Sequence, residues 1–158
     1  MSTALSKDTT PQFDLVVLFE NAAWQQPLFD VLNKRQISYS AVDLKSGAFN
    51  PDDVPSAKVY FSQASPSAYV RGNRRVVPLT RSLLRTLQLR GAKVLNGADV
   101  FDYELSKSAQ IAHMKLLNID HPHTVVFNDV AALENRDDLR WPAMLKPEQG
   151  GSGARMHK

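Results

Sequence analysis

"FDLVVLF", residues 13–19, is a short apolar run rich in Val and Leu. A strand buried on both faces of a parallel sheet reads this way, because neither side alternates with polar residues. Downstream, "QQPLFDVLNKRQ" carries Leu28, Val31 and Leu32 at helical spacing, and "ISYSAVDL" returns to β-prone residues, which completes a β-α-β unit. "KVYFSQA" (58–64) predicts a third strand. "LTRSLLRTLQLR" (79–90) places Leu79, Leu83, Leu84 and Leu87 on one helical face ahead of Gly91, a good helix terminator, and "AKVLNG" supplies a fourth strand. Such alternation over 13–97 predicts an α/β fold with an open, mostly parallel sheet.

Beyond "NGADVFD" the pattern changes, and a domain boundary is expected near residues 97–102. Asp102 or Ser106 can cap a helix that runs to about Leu117, with Asn118 as a left-handed terminator. "TVVFN" (124–128) reads as a short strand, "DVAALENRDDL" as a small helix capped by Asn128 or Asp129, and "PAMLK" (142–146) as a strand that enters a glycine cluster. The expected organisation is a tail over 1–12, an α/β domain over 13–100 and a second unit over 101–158.

The chain has 158 residues and 43% hydrophobic content, enough for a buried core. It contains no cysteine, so disulfides, thiolate metal sites and sulfur nucleophiles are excluded. The segment "MSTALSKDTTPQ" lacks an apolar signal-peptide core, and no apolar run reaches membrane-spanning length, so a cytoplasmic protein without membrane contact is expected. Net charge is +3, and arginines 71, 74, 75, 81, 85 and 90 fall where no acid occurs from Arg71 to Val94, a local positive surface in sequence. Polyanion binding through residues 71–90, with Tyr69 available for stacking, is one consequence. The alternative is the solvated face of an amphipathic helix, since Arg81 and Arg85 lie opposite the leucines.

The first strand-to-helix turn, "FENAAWQQ", has no glycine, which argues against a dinucleotide fingerprint. The closing "QGGSG" lacks P-loop spacing. Its glycines can nonetheless present backbone N–H groups to phosphate oxygens, or can simply form a hairpin turn. Alternation on "AMLK" puts Met144 and Lys146 on one face, a cation beside an apolar side chain that a base could pack on. Lys107 in the first turn of a helix opposes the macrodipole, and such a start can hold a phosphate if Ser106 is the cap. His113, His121 and His123 lie near one another in sequence, but no motif places an acid with them, and no metal site is assigned.

In order and spacing, "SPSAYVRG" (65–72), "RGAKVLNGADVFDYELSKSAQIAHMKLLNIDHPHT" (90–124) and "WPAMLKPEQGGSG" (141–153) resemble the ATP-grasp superfamily, in particular its RimK-type, alpha-L-glutamate-ligase-like branch. The resemblance is strongest from residue 91 onward. It implies a pre-ATP-grasp α/β domain followed by the first α+β subdomain of an ATP-grasp fold, incomplete after the glycine-rich loop. By position it implies that Lys107, Lys146, Gly150, Gly151, Ser152 and Gly153 contact the ATP phosphates, and Met144, from the alternation on "AMLK", is expected to join them as a surface for the base. It leaves the catalytic residues unassigned and puts the Mg²⁺ ligands beyond residue 158. The implied activity is ATP-dependent carboxylate–amine ligation through an acyl phosphate, with a carboxylate substrate and an amine acceptor such as glutamate. The complete protein is expected to be a homo-oligomer, and the 158 residues alone are expected to be inactive. A remnant without catalysis is the alternative. Asn118 and Asp120 stand where the family often has glycine and then proline.

Overall fold

The structure, a computed structural model, describes residues 10–149, 153, 156 and 157. Four strands, β1 (Phe13–Phe19), β2 (Tyr39–Asp43), β3 (Ala57–Ser62) and β4 (Val94–Leu95), form one all-parallel sheet in the order β2-β1-β3-β4. Helices α1 (Ala22–Lys34), α2 (Val76–Leu89), α3 (Ala98–Leu105) and α4 (Lys107–Leu116) follow in chain order, with single 3₁₀ turns at Pro66–Tyr69 and Val130–Leu133. The chain is therefore α/β. No helix among the described residues is long and apolar enough to cross a membrane.

β1 explains why the sheet is covered on both sides. Its period-two alternation sends Val16 and Leu18 into one buried cluster and Val17 and Phe19 into another. The first cluster holds Leu83, Leu84 and Leu87 of α2 with Phe101 and Leu105 of α3. Thus the predicted leucine face is the buried one, with Leu79 packed partly against it. The second holds Leu32 of α1 with Leu28, Phe29 and Tyr39 around it, and Phe29 stacks on Tyr39 at 5.5 Å. The cluster that begins at β1 continues through Leu105, so α3 shares the core of the sheet layer.

Three helices end alike. After α1, α2 and α4 the residues Gln36, Gly91 and Asn118 adopt φ of 54°, 73° and 53°. In each case the next amide bonds back five residues: Ile37 to Leu32, Ala92 to Leu87 and Ile119 to Met114. This terminator satisfies carbonyls that would otherwise be orphaned. Gly91 and Asn118 behave as their residue types predict.

Of the two caps expected for the helix running to about Leu117, Ser106 is the observed one and α4 ends at Leu116, whereas Asp102 lies inside α3, a separate helix that was not anticipated. Other expectations beyond residue 100 fail. Residues 124–128 form no strand, and Val126 is exposed. A strand needs a hydrogen-bonding neighbour, and no β-bridge joins this segment to another described one. The small helix at 129–139 shrinks to the turn Val130–Leu133, capped by Asp129, because the charged residues that follow offer no apolar face to bury. "PAMLK" is not a strand; it makes only an isolated antiparallel bridge between Leu145 and His157.

Candidate functional site

Ser106 decides the geometry of the site. Its extended backbone ends α3, and its Oγ accepts the Ala109 amide at 3.1 Å as the cap of α4. Lys107 is consequently the first residue of α4, where the helix leaves several amides without intrahelical partners and the dipole favours an anion. The corner between the helices is held by Gln110, whose Nε2 donates to the Tyr103 carbonyl at 3.0 Å, and by the Tyr103 ring edge-on to His113.

An anion is in place at this helix start. The Glu148 carboxylate accepts from the Ser106 and Ser108 hydroxyls, both at 2.6 Å, and from the Ser108 amide at 3.1 and 3.3 Å. Lys107 Nζ donates to the Glu148 carbonyl at 3.0 Å. Partial burial pushes the Glu148 carboxyl up, but the two serine hydroxyls, the Ser108 amide and the Lys107 charge outweigh it, and the group lies below its ordinary range. Two stretches singled out separately in sequence, "SKS" and "LKPEQ", thereby meet across 40 residues.

The remaining expected contact residues are distributed as follows. Lys146 and Met144 are exposed, and Lys146 makes no ion pair among the described residues. Gly150, Gly151 and Ser152 lie outside the described residues. Gly153 has φ of 70°, a conformation that L side chains seldom adopt. The Leu145 amide donates to the His157 carbonyl at 2.8 Å and the His157 amide donates back at 3.0 Å, which bridges Leu145 and His157 in antiparallel sense. No group of three or more His, Asp or Glu side chains that could hold a metal occurs among the described residues.

The arginine stretch, read in sequence as a positive surface, meets acids from elsewhere in the chain. Arg81 Nε lies 2.6 Å from Asp102, and Arg85 reaches both Asp99 and Asp102 at 3.2 Å, tying α2 to α3. Arg71 crosses to Glu20, the residue that follows β1, with Nη2 at 2.6 Å and Nε at 3.2 Å; Nη1 donates to Ser67 at 2.7 Å, and the guanidinium covers the Trp24 ring at 4.7 Å. Asn73 donates to the same carboxylate at 2.5 Å.

Sequence reasoning missed Glu148 and Glu20. Their partners stand 40 and 51 residues away, and neither pairing leaves a local pattern. No protein-family model matches the chain, and no curated protein is similar to it at a significant level.

Proposed function

We propose that the chain belongs to an ATP-dependent carboxylate–amine ligase of the ATP-grasp type and that the start of α4 receives ATP phosphate oxygens. The observation that carries this reading is the Glu148 carboxylate, held by two hydroxyls and an amide with Lys107 alongside. A carboxylate and a phosphate present similar acceptor oxygens, so donors that converge on one suit the other. Lys107 and Lys146 supply positive charge from two segments, and the glycine segment that follows Glu148 supplies backbone donors. Transfer of the terminal phosphoryl group to a substrate carboxylate depends mainly on such positioning and charge stabilisation, and the resulting acyl phosphate is then open to an amine. Mg²⁺ would accompany ATP and share its charge; no residue described here is assigned to it.

Titration of ATP and of adenosine into isotope-labelled protein tests the reading. ATP should shift the Ser108, Ala109 and Glu148 amides in a saturable way, and adenosine, which has no phosphate, should leave them in place. Shifts confined to 71–90, with affinity that collapses as salt rises, would instead establish polyanion binding by the arginines.

A further inference from the structure

The carboxyl edge of the sheet holds a second feature, beside the last turns of α3. Ser62, Gln63, Ala64 and Ser65 at the end of β3, Asn96 after β4, and Val100, Phe101 and Glu104 of α3 line a pocket of about 310 Å³ that opens to solvent. Ligands of open parallel sheets bind outside the carboxyl ends of the strands, and this volume suits a small molecule.

Its lining is rich in acceptors and poor in cations. Asn96 spends its Nδ2 on the Ser62 carbonyl at 3.0 Å, which turns the amide oxygen into the available group. Ser62 is 2% exposed, and its Oγ has no hydrogen-bond partner. Alternation along β3 puts Ser62 on the face of Tyr60, which packs in the same cluster as Phe101, so the hydroxyl faces the α3 wall of the cavity. A buried hydroxyl left without a partner is costly unless something at the site completes it. Glu104 lines the pocket as an exposed side chain and makes no hydrogen bond or ion pair among the described residues. Partial burial pushes its carboxyl above the ordinary range, and no arginine or lysine lines the cavity to offset that. Val100, Phe101 and Ala64 supply apolar wall between the two polar ends.

We infer that this cavity binds a small primary amine, with its ammonium on Glu104, its short carbon chain along Val100 and Phe101, and any polar end on Ser62 and Asn96. The lining selects this class directly. A carboxylate ligand would meet Glu104 with no cation in the lining to offset the repulsion, and a neutral alcohol would gain nothing from the Glu104 charge, which solvent already covers. The inference stands on cavity residues alone and does not depend on nucleotide binding.

Propylammonium, propionate and propanol, titrated separately into labelled protein at neutral pH, test it. Propylammonium should give saturable shifts of the Gln63, Asn96, Phe101 and Glu104 amides, propionate none, and propanol weaker ones. Glu104→Gln, a rim substitution that keeps the side chain's size, should weaken propylammonium binding about tenfold while leaving the rest of the spectrum in place. Ser62→Ala serves as a second variant: it should keep propylammonium binding but lower the affinity of 3-aminopropan-1-ol, whose hydroxyl reaches inward. Equal response to the ammonium and the carboxylate, no saturable response to the ammonium, or undiminished ammonium affinity in Glu104→Gln would each overturn the assignment.

Discussion

Arg71→Met is expected to lower the unfolding free energy by about 3 to 5 kcal/mol, the range for breaking one side of a buried ion pair. The lower end is favoured because the Arg71 side chain keeps 25% of its exposure, whereas that of Glu20 keeps 3%. The loss is larger than the pair's net worth. In the variant, Glu20 stays buried at the end of β1 with only Asn73 as a direct partner, and the uncompensated charge dominates the cost. Replacing both residues, Glu20→Met with Arg71→Met, should therefore recover part of the stability that the single variant loses. Urea unfolding measures this through a lower midpoint at unchanged slope.

The same pair has a pH signature. Burial pushes the Glu20 carboxyl up, but hydrogen bonds from Arg71 and Asn73 and the Arg71 charge more than offset it, so the folded-state value lies below the ordinary 4.5. The folded state then binds fewer protons than the unfolded state in that interval. Glu20's contribution is fully present above about 4.5 and disappears as pH falls through the lowered value. With Arg71 replaced, its hydrogen bonds and charge no longer oppose burial, so the Glu20 value should rise. The stability gap between wild type and Arg71→Met should consequently close on acidification, and a gap that stays constant with pH would show that Glu20 is not the group responsible.

Lys107→Met is expected to weaken ATP binding by about 1.5 to 3 kcal/mol, roughly tenfold to a hundredfold, as one charge-assisted contact is lost. Methionine keeps the length of the stem and removes the cation. In the absence of nucleotide the change should cost little stability, because a cation in the first turn opposes the helix dipole, which offsets its bond to the Glu148 carbonyl and its attraction to the exposed Glu148 carboxylate. Lys146→Met should weaken ATP by a similar amount, since that side chain is exposed and tied to no acid among the described residues. Calorimetric titration with ATP separates the two roles: a fall in affinity without a fall in thermal stability marks ligand contact, and a fall in both marks a structural lysine.

The parts legible in sequence are those in which local pattern and tertiary fate coincide. β1 is a run of apolar residues, and α2 a leucine stripe closed by Gly91; burial of both needed no distant partner to be anticipated. Ser106 is a serine ahead of a helix-forming stretch, and it caps as such residues do. Between 118 and 149 the same reasoning overreached. "TVVFN" has strand-forming side chains but no neighbour to pair with, and propensity alone does not complete a ladder. For three of the arginines, 71, 81 and 85, the partners were hidden for the opposite reason. Their own segment has no acid, yet folding brings Glu20, Asp99 and Asp102 against them. Glu148 stood inside a quoted motif, and nothing near it announced that its carboxylate would cap a helix that begins forty-one residues earlier.

That carboxylate allows the most direct test of the central claim, that the start of α4 is a phosphate site in which Glu148 now sits. Glu148→Gln keeps the side chain's size, removes its charge and leaves Ser106, Lys107 and Ser108 in place. ATP affinity, measured by titration calorimetry at fixed salt, should rise about threefold to tenfold, because the nucleotide no longer displaces a charged competitor from the same donors. Unchanged or weakened ATP affinity in Glu148→Gln would contradict the account and leave the carboxylate as a helix cap.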